Sequence, residues 1–586
     1  MKSYVLGALF LLGTIVLGIH LQSTLEGTFY FLEQQQLFLF DANYVCGILK
    51  DIGGTAIIIS QLLVQFFRIP YMGAVLTAAI CGFSAWLFWL TLRKIHLSPY
   101  LFPLSFIPML LQCVYIVEET YHYDGLIAMF GWALVLYIYG LCAQQMEWKG
   151  RTIAGCILAV CLFFSMGSVA MLFALSVLLL DLLLMKERWF MSVLPLVLII
   201  IIGALFVLAG KIGDYPYVFG MKNYVAYYFE PTAFHSLSWQ SALIIMVLFF
   251  LSKYADFLKV YMKVLVTVVI VGLAGLFYVK AADAHQLKNL YGIRQLIHYI
   301  DAEQWDAIIN SKELNLNDYM HLNALNLALS HKGQLLTDLF KYPQNGTQSL
   351  MTVYQSHIEE GWLLSQLYYH VGIMGLAYDL ASATSVGITY GCPAMAKIMV
   401  KSHLIYGRYQ AAEKYIHLLE KTWGYADWAK EQRRFLYNDN AVENDPELGL
   451  KRKSLSAQKD LFANGMGLTD NLVVILRANP QNKAAFDYLI ASLLLAKDMA
   501  SIKAFVEKYG GTEVMPTLPM ILQQAIISYA EHDPAYCLTH GVSDQLWSAF
   551  QEFKRRVVSL RRSQQDLRTG LANYQQTFWY YLLLSK

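Results

Sequence analysis

Charge is scarce in this 586-residue sequence: 15% of residues are charged, against ~25% in an ordinary soluble domain. Hydrophobic residues reach 57% and mean hydropathy is +0.43, so a wholly water-soluble chain is excluded. An excess of one sign of charge is missing too. With 44 Lys and Arg against 42 Asp and Glu, the net charge is +2, and no basic face of the size that phosphate contacts demand is expected. Partners among nucleic acids are therefore excluded. Only 14 prolines accompany 14% aromatic residues, a composition that buries surface and does not stay disordered. The eight cysteines include no Cys-x-x-Cys pair, which removes the usual zinc and thioredoxin-type signatures. Most lie in apolar runs, where cysteine acts as a small hydrophobe.

The length is about four times that of a ~150-residue domain, and the apolar residues are unevenly spread. Nearly all long apolar runs precede Val279-Lys280-Ala281-Ala282-Asp283. The chain thus divides into a polytopic membrane domain, 1–280, and a water-soluble domain, 281–586. A spanning helix needs ~20 largely apolar residues. Nine segments qualify: 4–20, 71–92, 100–117, 125–143, 152–168, 169–185, 190–210, 237–252 and 264–280. The first lacks a small-residue cleavage site after Leu17-Gly18 and reads as a retained anchor. In 53–69, Gln61, Gln65 and Arg68 form one polar stripe, the pattern of a helix lying in the interface with that stripe wetted. With the N-terminus cytoplasmic, nine spans place ten basic residues inside and four outside, a positive-inside bias. The expected site is then a bacterial inner membrane, with 281–586 in the periplasm.

This topology gathers carboxylates on the outer face. The first outer loop, 21–70, holds Glu26, Glu33, Asp41 and Asp51. The second holds Glu118, Glu119, His122 and Asp124, and the third, 211–238, holds Asp214, Glu230 and His235 among tyrosines. A long first loop with an interfacial helix, followed by an acidic second loop, is similar to the layout of the GT-C glycosyltransferases, which use lipid-phosphate-linked sugars. The resemblance implies a catalytic base among Glu33, Asp41, Glu118 and Asp124, because the acceptor hydroxyl must lose a proton. It also implies a divalent cation or a basic side chain opposite the departing phosphate. There are departures: the first loop has no Asp-x-Asp or Glu-x-Asp, and Glu118-Glu119 with Asp124 follows the second-loop cluster only in outline. Each acid also has a structural reading. Glu33 sits in a polar Leu32-Glu33-Gln34-Gln35-Gln36 run that can end a helix. Asp41-Ala42-Asn43 makes a good N-cap. Glu118, Glu119 and Asp124 can be plain loop solubility. Asp181 falls near Lys186 and Arg188 and is expected at the inner interface.

Residues 281–586 show apolar positions at helical spacing, broken by Gly, Asn and Pro, with no period-2 strands. The Gly407-Arg408-Tyr409-Gln410-Ala411-Ala412 run resembles the tetratricopeptide turn. Irregular helix pairs of that kind predict an α-solenoid whose concave face takes a periplasmic peptide or protein. Eight histidines between His285 and His417 show no ligand spacing. The basic run Lys554-Arg555-Arg556, Arg561-Arg562 and Arg568 reads as a solvated helix face.

Several stretches, among them Glu33-Gln34 with Leu37-Phe38-Leu39-Phe40, Gln65-Phe66-Phe67, and Asn479-Pro480 with Asn482 and Ala485-Phe486, resemble an uncharacterised membrane-protein family of Bacteroidales. That resemblance implies an inner-membrane protein with a periplasmic helical domain but carries no activity. The expectation is an all-α chain: about nine spans with an interfacial helix in a GT-C-like arrangement, then a tetratricopeptide-like solenoid. As an enzyme it would transfer a sugar from a polyprenyl-phosphate donor at the outer face of the lipid bilayer. The competing expectation is a non-catalytic, membrane-anchored scaffold for envelope proteins. A transporter is disfavoured, since no Gly- or Pro-broken span carries a midplane charge.

Overall fold

A computed structural model describes residues 3–585 apart from 97–98, 117–120, 185–187, 227–230, 232–235, 256–259, 285–286, 356, 389–390 and 456–466. The described residues are helical, with isolated β-bridges and no strand. The chain forms two compact units. The first comprises Met1–Tyr291 with two short later segments, Ile388–Cys392 and Glu420–Ala426. The second comprises Gly292–Gly387, Pro393–Leu419 and Asp427–Lys586.

The first unit is built from α1 (Ser3–Gln35), α2 (Ala42–Ile48), α3 (Gly54–Val64), α4 (Met72–Ile95), α5 (Ile107–Tyr115), α6 (Asp124–Ala143), α7 (Trp148–Met166), α8 (Val169–Leu184), α9 (Val193–Leu208), α10 (Tyr215–Phe219), α11 (Leu237–Ser252) and α12 (Val260–Ala284). Among the described residues, five segments are long and apolar enough to cross a membrane: Tyr4–Gln35, Met72–Ile95, Asp124–Ala143, Trp148–Met166 and Trp189–Leu208. The expectation of nine is corrected accordingly. Of the other expected spans, 100–117, 169–185 and 237–252 are shorter apolar helices, while 264–280 lies within the 25-residue α12; two causes of shortening are visible in the sequence. Pro103 and Pro108 break 100–117 into a 3₁₀ turn, Pro99–Phe106, and the nine-residue α5, because each proline removes a backbone donor and crowds the preceding turn. Gly167, at φ +84°, ends α7 and turns the chain into α8; a side chain is strained in that region.

The first helix corrects the expectation in the opposite sense. Instead of stopping near residue 20 it continues for 33 residues to Gln35, with one non-helical residue at Leu25. At 1.5 Å per residue it is about 50 Å long against a ~30 Å hydrocarbon core. Glu33 therefore sits at the end of a helix longer than a span requires, not in a loop. The helices pack closely, α1 on α4 and α4 on α6. A Cβ at Gly82 would stand 2.1 Å from Thr14 Oγ1, the small-residue contact that lets apolar helices approach. Asp181 is buried among three helices. It accepts from Tyr139 Oη at 2.9 Å and from Ser192 Oγ, and lies 3.9 Å from Arg151.

The stripe of Gln61, Gln65 and Arg68 is inverted relative to expectation at its first two members, while Arg68 is exposed as expected. Gln61 and Gln65 are buried, and the exposed face of this segment is Ile59, Leu62 and Phe66. Inside, Tyr44 Oη donates to Gln61 Oε1 at 2.8 Å, Ser60 Oγ donates to Gln36 Oε1 at 2.8 Å, and Gln65 Nε2 donates to the Gln36 carbonyl at 2.9 Å. Where lipid is the solvent, apolar residues face out and polar ones pair inside.

In the second unit consecutive helices pack on one another: Ile358–Val371 on Met374–Gly387, that on Pro393–Tyr406, and Leu468–Ala478 on Lys483–Leu495. Gly407 turns the chain at φ +71°, as the tetratricopeptide-like spacing implies. A buried ion pair, Arg294 with Glu359 at 2.8 Å, lies inside this unit.

Candidate functional site

Glu33 and Asp41 are both engaged by one short stretch of the first unit, residues 420–426. Glu33 is buried at the end of α1. Tyr425 Oη lies 2.9 and 2.8 Å from its two carboxylate oxygens, and Gln34 Nε2 donates to it at 2.6 Å. Burial, followed by the Glu33 carboxylate, pushes the Tyr425 hydroxyl pKa well above its ordinary value, so it stays a donor. Arg68 lies over the Tyr425 ring at 4.8 Å and donates to the Gly424 carbonyl. Asp41 is the N-cap of α2, accepting from the Asn43 and Tyr44 amides at 2.9 and 3.2 Å. Its other oxygen meets Lys421 Nζ at 2.7 Å. That bond, then the Tyr44 amide, holds the carboxyl below the usual aspartate range.

Asp124 is in a different situation. It opens α6, is 1% exposed, and neither carboxylate oxygen has a side-chain partner among the described residues; only the backbone amides of Asp124 itself and Gly125, at the start of its own helix, face it. A buried polar group without a partner costs about 1–3 kcal/mol, and a charged one more, so such a group calls for an explanation. The second and third loops close around it. Tyr121 bridges Val225, and the His122 amide donates to the Tyr224 carbonyl at 2.9 Å. This pairing brings 121–124 alongside 221–225, where Lys222 is buried and lies 2.5 Å from Asp214. Tyr217 is pushed up to about 12, by burial first and then by the carboxylates of Asp124, Asp51 and Asp214. Burial also lowers His122 to about 4, leaving a neutral imidazole beside Asp124.

Asn223 joins the remaining loop. Its amide nitrogen would lie 3.2 Å from a Cβ at Gly53 and 2.5 Å from one at Gly167, both left-handed glycines. Its side-chain oxygen is buried without a partner among the described residues. The side-chain atoms left without a side-chain partner at Asp124 and at Asn223 are all oxygens that accept hydrogen bonds.

The four sequence candidates therefore separate. Glu33 and Asp41 meet 420–426. Asp124 meets the 214–225 loop and makes no hydrogen bond or ion pair with either of them among the described residues. Between the two places runs an aromatic chain, Phe29 to Phe67 at 5.3 Å and Phe67 to Tyr123 at 5.1 Å. Glu118 and its neighbour Glu119 lie outside the described residues. Lys222, Tyr217 and Asn223 were not singled out from sequence. The available signal was the tyrosine-rich third loop, but nothing in the spacing set that loop against Tyr121 and His122. No group of three or more His, Cys, Asp or Glu is arranged to hold a metal among the described residues, and the Asp214 carboxylate is already paired with Lys222.

Residues 2–585 match a family model whose description is "Family of unknown function (DUF6057)". No curated protein and no solved structure matches the chain.

Proposed function

The chain belongs to the DUF6057 family, a family of unknown function, and from that premise we propose that it is a GT-C-like glycosyltransferase using a polyprenyl-phosphate-linked sugar. The observation that carries the proposal is the buried Asp124 carboxylate at the head of an apolar helix, with no side-chain partner among the described residues. In this reading Asp124 takes the proton of an acceptor hydroxyl while that oxygen bonds to the sugar's anomeric carbon. The bond from that carbon to the phosphate oxygen breaks, and its electron pair leaves with the polyprenyl phosphate. Lys222, which the chain already buries near Asp124's loop, supplies the positive charge facing that phosphate. Among the described residues no three His, Cys, Asp or Glu side chains come together to hold a cation, and no step is assigned to one. The loops would face the periplasm of a bacterial inner membrane, and the helix pairs of the second unit would form a tetratricopeptide-like solenoid that receives the acceptor or a partner.

The reading is tested with purified protein in liposomes containing a radiolabelled polyprenyl-phosphate hexose and an envelope-glycan acceptor. Wild type should transfer label. Asp124→Asn should lose 10²–10⁴-fold, the range for a removed base. No transfer by wild type, or full transfer by Asp124→Asn, refutes the assignment. A second reading, the non-catalytic scaffold, is favoured by Glu33 and Asp41, whose carboxylates are taken up in holding 420–426. On that reading every acid variant leaves the glycan product unchanged.

A further inference from the structure

We infer that residues 420–426, which lie within the water-soluble part of the sequence, are a membrane-contacting strap whose Trp423 sits at the lipid headgroup level. The argument starts from α3 and its continuation to Arg68. This segment exposes Ile59, Leu62 and Phe66 and buries Gln61 and Gln65. An outward apolar face over a polar interior is the arrangement suited to lipid, not to water. The segment ends at Arg68, and after Ile69, Pro70 and Tyr71 the chain enters Met72–Ile95, which is long and apolar enough to cross a membrane. Residues 66–72 therefore mark a level where apolar and aqueous surroundings meet.

The strap is fixed to that level by five separate contacts. The Trp423 ring lies 5.5 Å from the Phe66 ring. Arg68 donates to the Gly424 carbonyl. The Phe40 amide donates to the Lys421 carbonyl at 2.7 Å. Lys421 pairs with Asp41 and Tyr425 with Glu33. Trp423 is nonetheless 52% exposed, and so are its neighbours Phe40, Ile69 and Tyr71 in large part. The exposed row Ile59, Leu62, Phe66 thus continues onto Trp423. A contiguous exposed apolar patch implies a partner. Tryptophan and tyrosine flanked by Arg68 and Lys421 are the side chains that settle where acyl chains meet headgroups. The occupant of this face is the bilayer interface.

The inference rests on α4 crossing a membrane, and the experiment separates the two claims. Full-length protein, with the exposed Cys46 and Cys161 replaced by alanine, is reconstituted in phosphatidylcholine vesicles. An environment-sensitive fluorophore is attached at Trp423→Cys, at Phe83→Cys in the middle of α4, or at Tyr437→Cys on the second unit. Lipids carrying a nitroxide near the headgroup, or deep in the chain, serve as quenchers alongside aqueous iodide. The expected result is quenching at 423 by the shallow nitroxide about twofold above that at 437, with weak iodide quenching, and deep quenching at 83. Iodide access at 423 equal to that at 437, with 83 still quenched from the bilayer, overturns the strap alone. Failure of 83 to be quenched by either lipid overturns the membrane reading and the strap with it. If Trp423→Cys does not fold, Phe40→Cys reports the same level under the same criteria.

Discussion

Replacing Asp124 by asparagine should stabilise the protein while removing its activity. The side chain is 1% exposed with no side-chain partner for either oxygen among the described residues. A carboxylate kept there carries the desolvation penalty of a buried ion, several kcal/mol after relaxation. Asparagine has nearly the same shape and leaves an unpaired neutral amide, which costs about 1–3 kcal/mol in proteins. The difference favours the variant by about 1–3 kcal/mol. For a unit of this size about 1 kcal/mol moves the unfolding midpoint by ~2 °C, so a rise of several degrees is expected. The measurement is thermal unfolding in detergent, with Glu33→Gln alongside. Glu33 accepts from Tyr425 and Gln34, so its variant should fall as Asp124→Asn rises. Opposite responses of two buried acids would separate a carboxylate held for chemistry from one held for structure, because function is retained at the expense of stability. A clear drop for Asp124→Asn would mean that its carboxylate has a structural partner, and the base assignment would lose its footing.

Other outcomes follow from the same contacts. Tyr425→Phe should cost about 1.5–3 kcal/mol, the range for a buried hydrogen bond to a charged group; a double-mutant cycle with Glu33→Gln should show coupling, and strictly additive effects would deny the bond. In the second unit His403 is buried between the rings of Tyr378 and Tyr415, and burial, with Arg408 adding, lowers it to about 4. Because the unfolded imidazole protonates near 6.5 and the folded one does not, this unit should lose up to about 3 kcal/mol as pH falls from 6.5 towards 4. Acid unfolding of His403→Phe, compared with wild type, should show that part of the loss removed; an identical acid limb would contradict it. Breaking the buried pair by Glu359→Gln should cost about 3–5 kcal/mol, whereas Arg294→Met with Glu359→Leu should recover most of it. Chemical denaturation of both variants checks this, and equal losses would show that the ion pair itself is needed.

Much of the architecture was legible because composition and helical period are local properties. The apolar first half and the helical second half follow from which residues recur at which spacing, and the Asp41 N-cap and the Gly407 turn follow from single residue types whose backbone preferences need no partner. Where helices end was less legible. Pro103 and Pro108 announce the break before α5, but nothing near residue 20 announces that α1 runs on to Gln35, since its continuation is stabilised by packing against α4 and by the polar cluster at its end.

The direction of a polar stripe lay beyond local reading altogether. Gln61, Gln65 and Arg68 have the same spacing whether they face water or a protein interior, and only the positions of Gln36, Tyr44 and the 420–426 strap settle which. The same holds for the acids. Residue type made Glu33, Asp41 and Asp124 equal candidates, yet their environments depend on residues nearly 400 positions away in sequence for the first two, and on the 214–225 loop for the third. Burial and hydrogen-bond satisfaction are sums over neighbours in space. A chain that decides its helices by local spacing still leaves to tertiary contact which carboxylate is tied down by side chains and which is buried without one among the described residues.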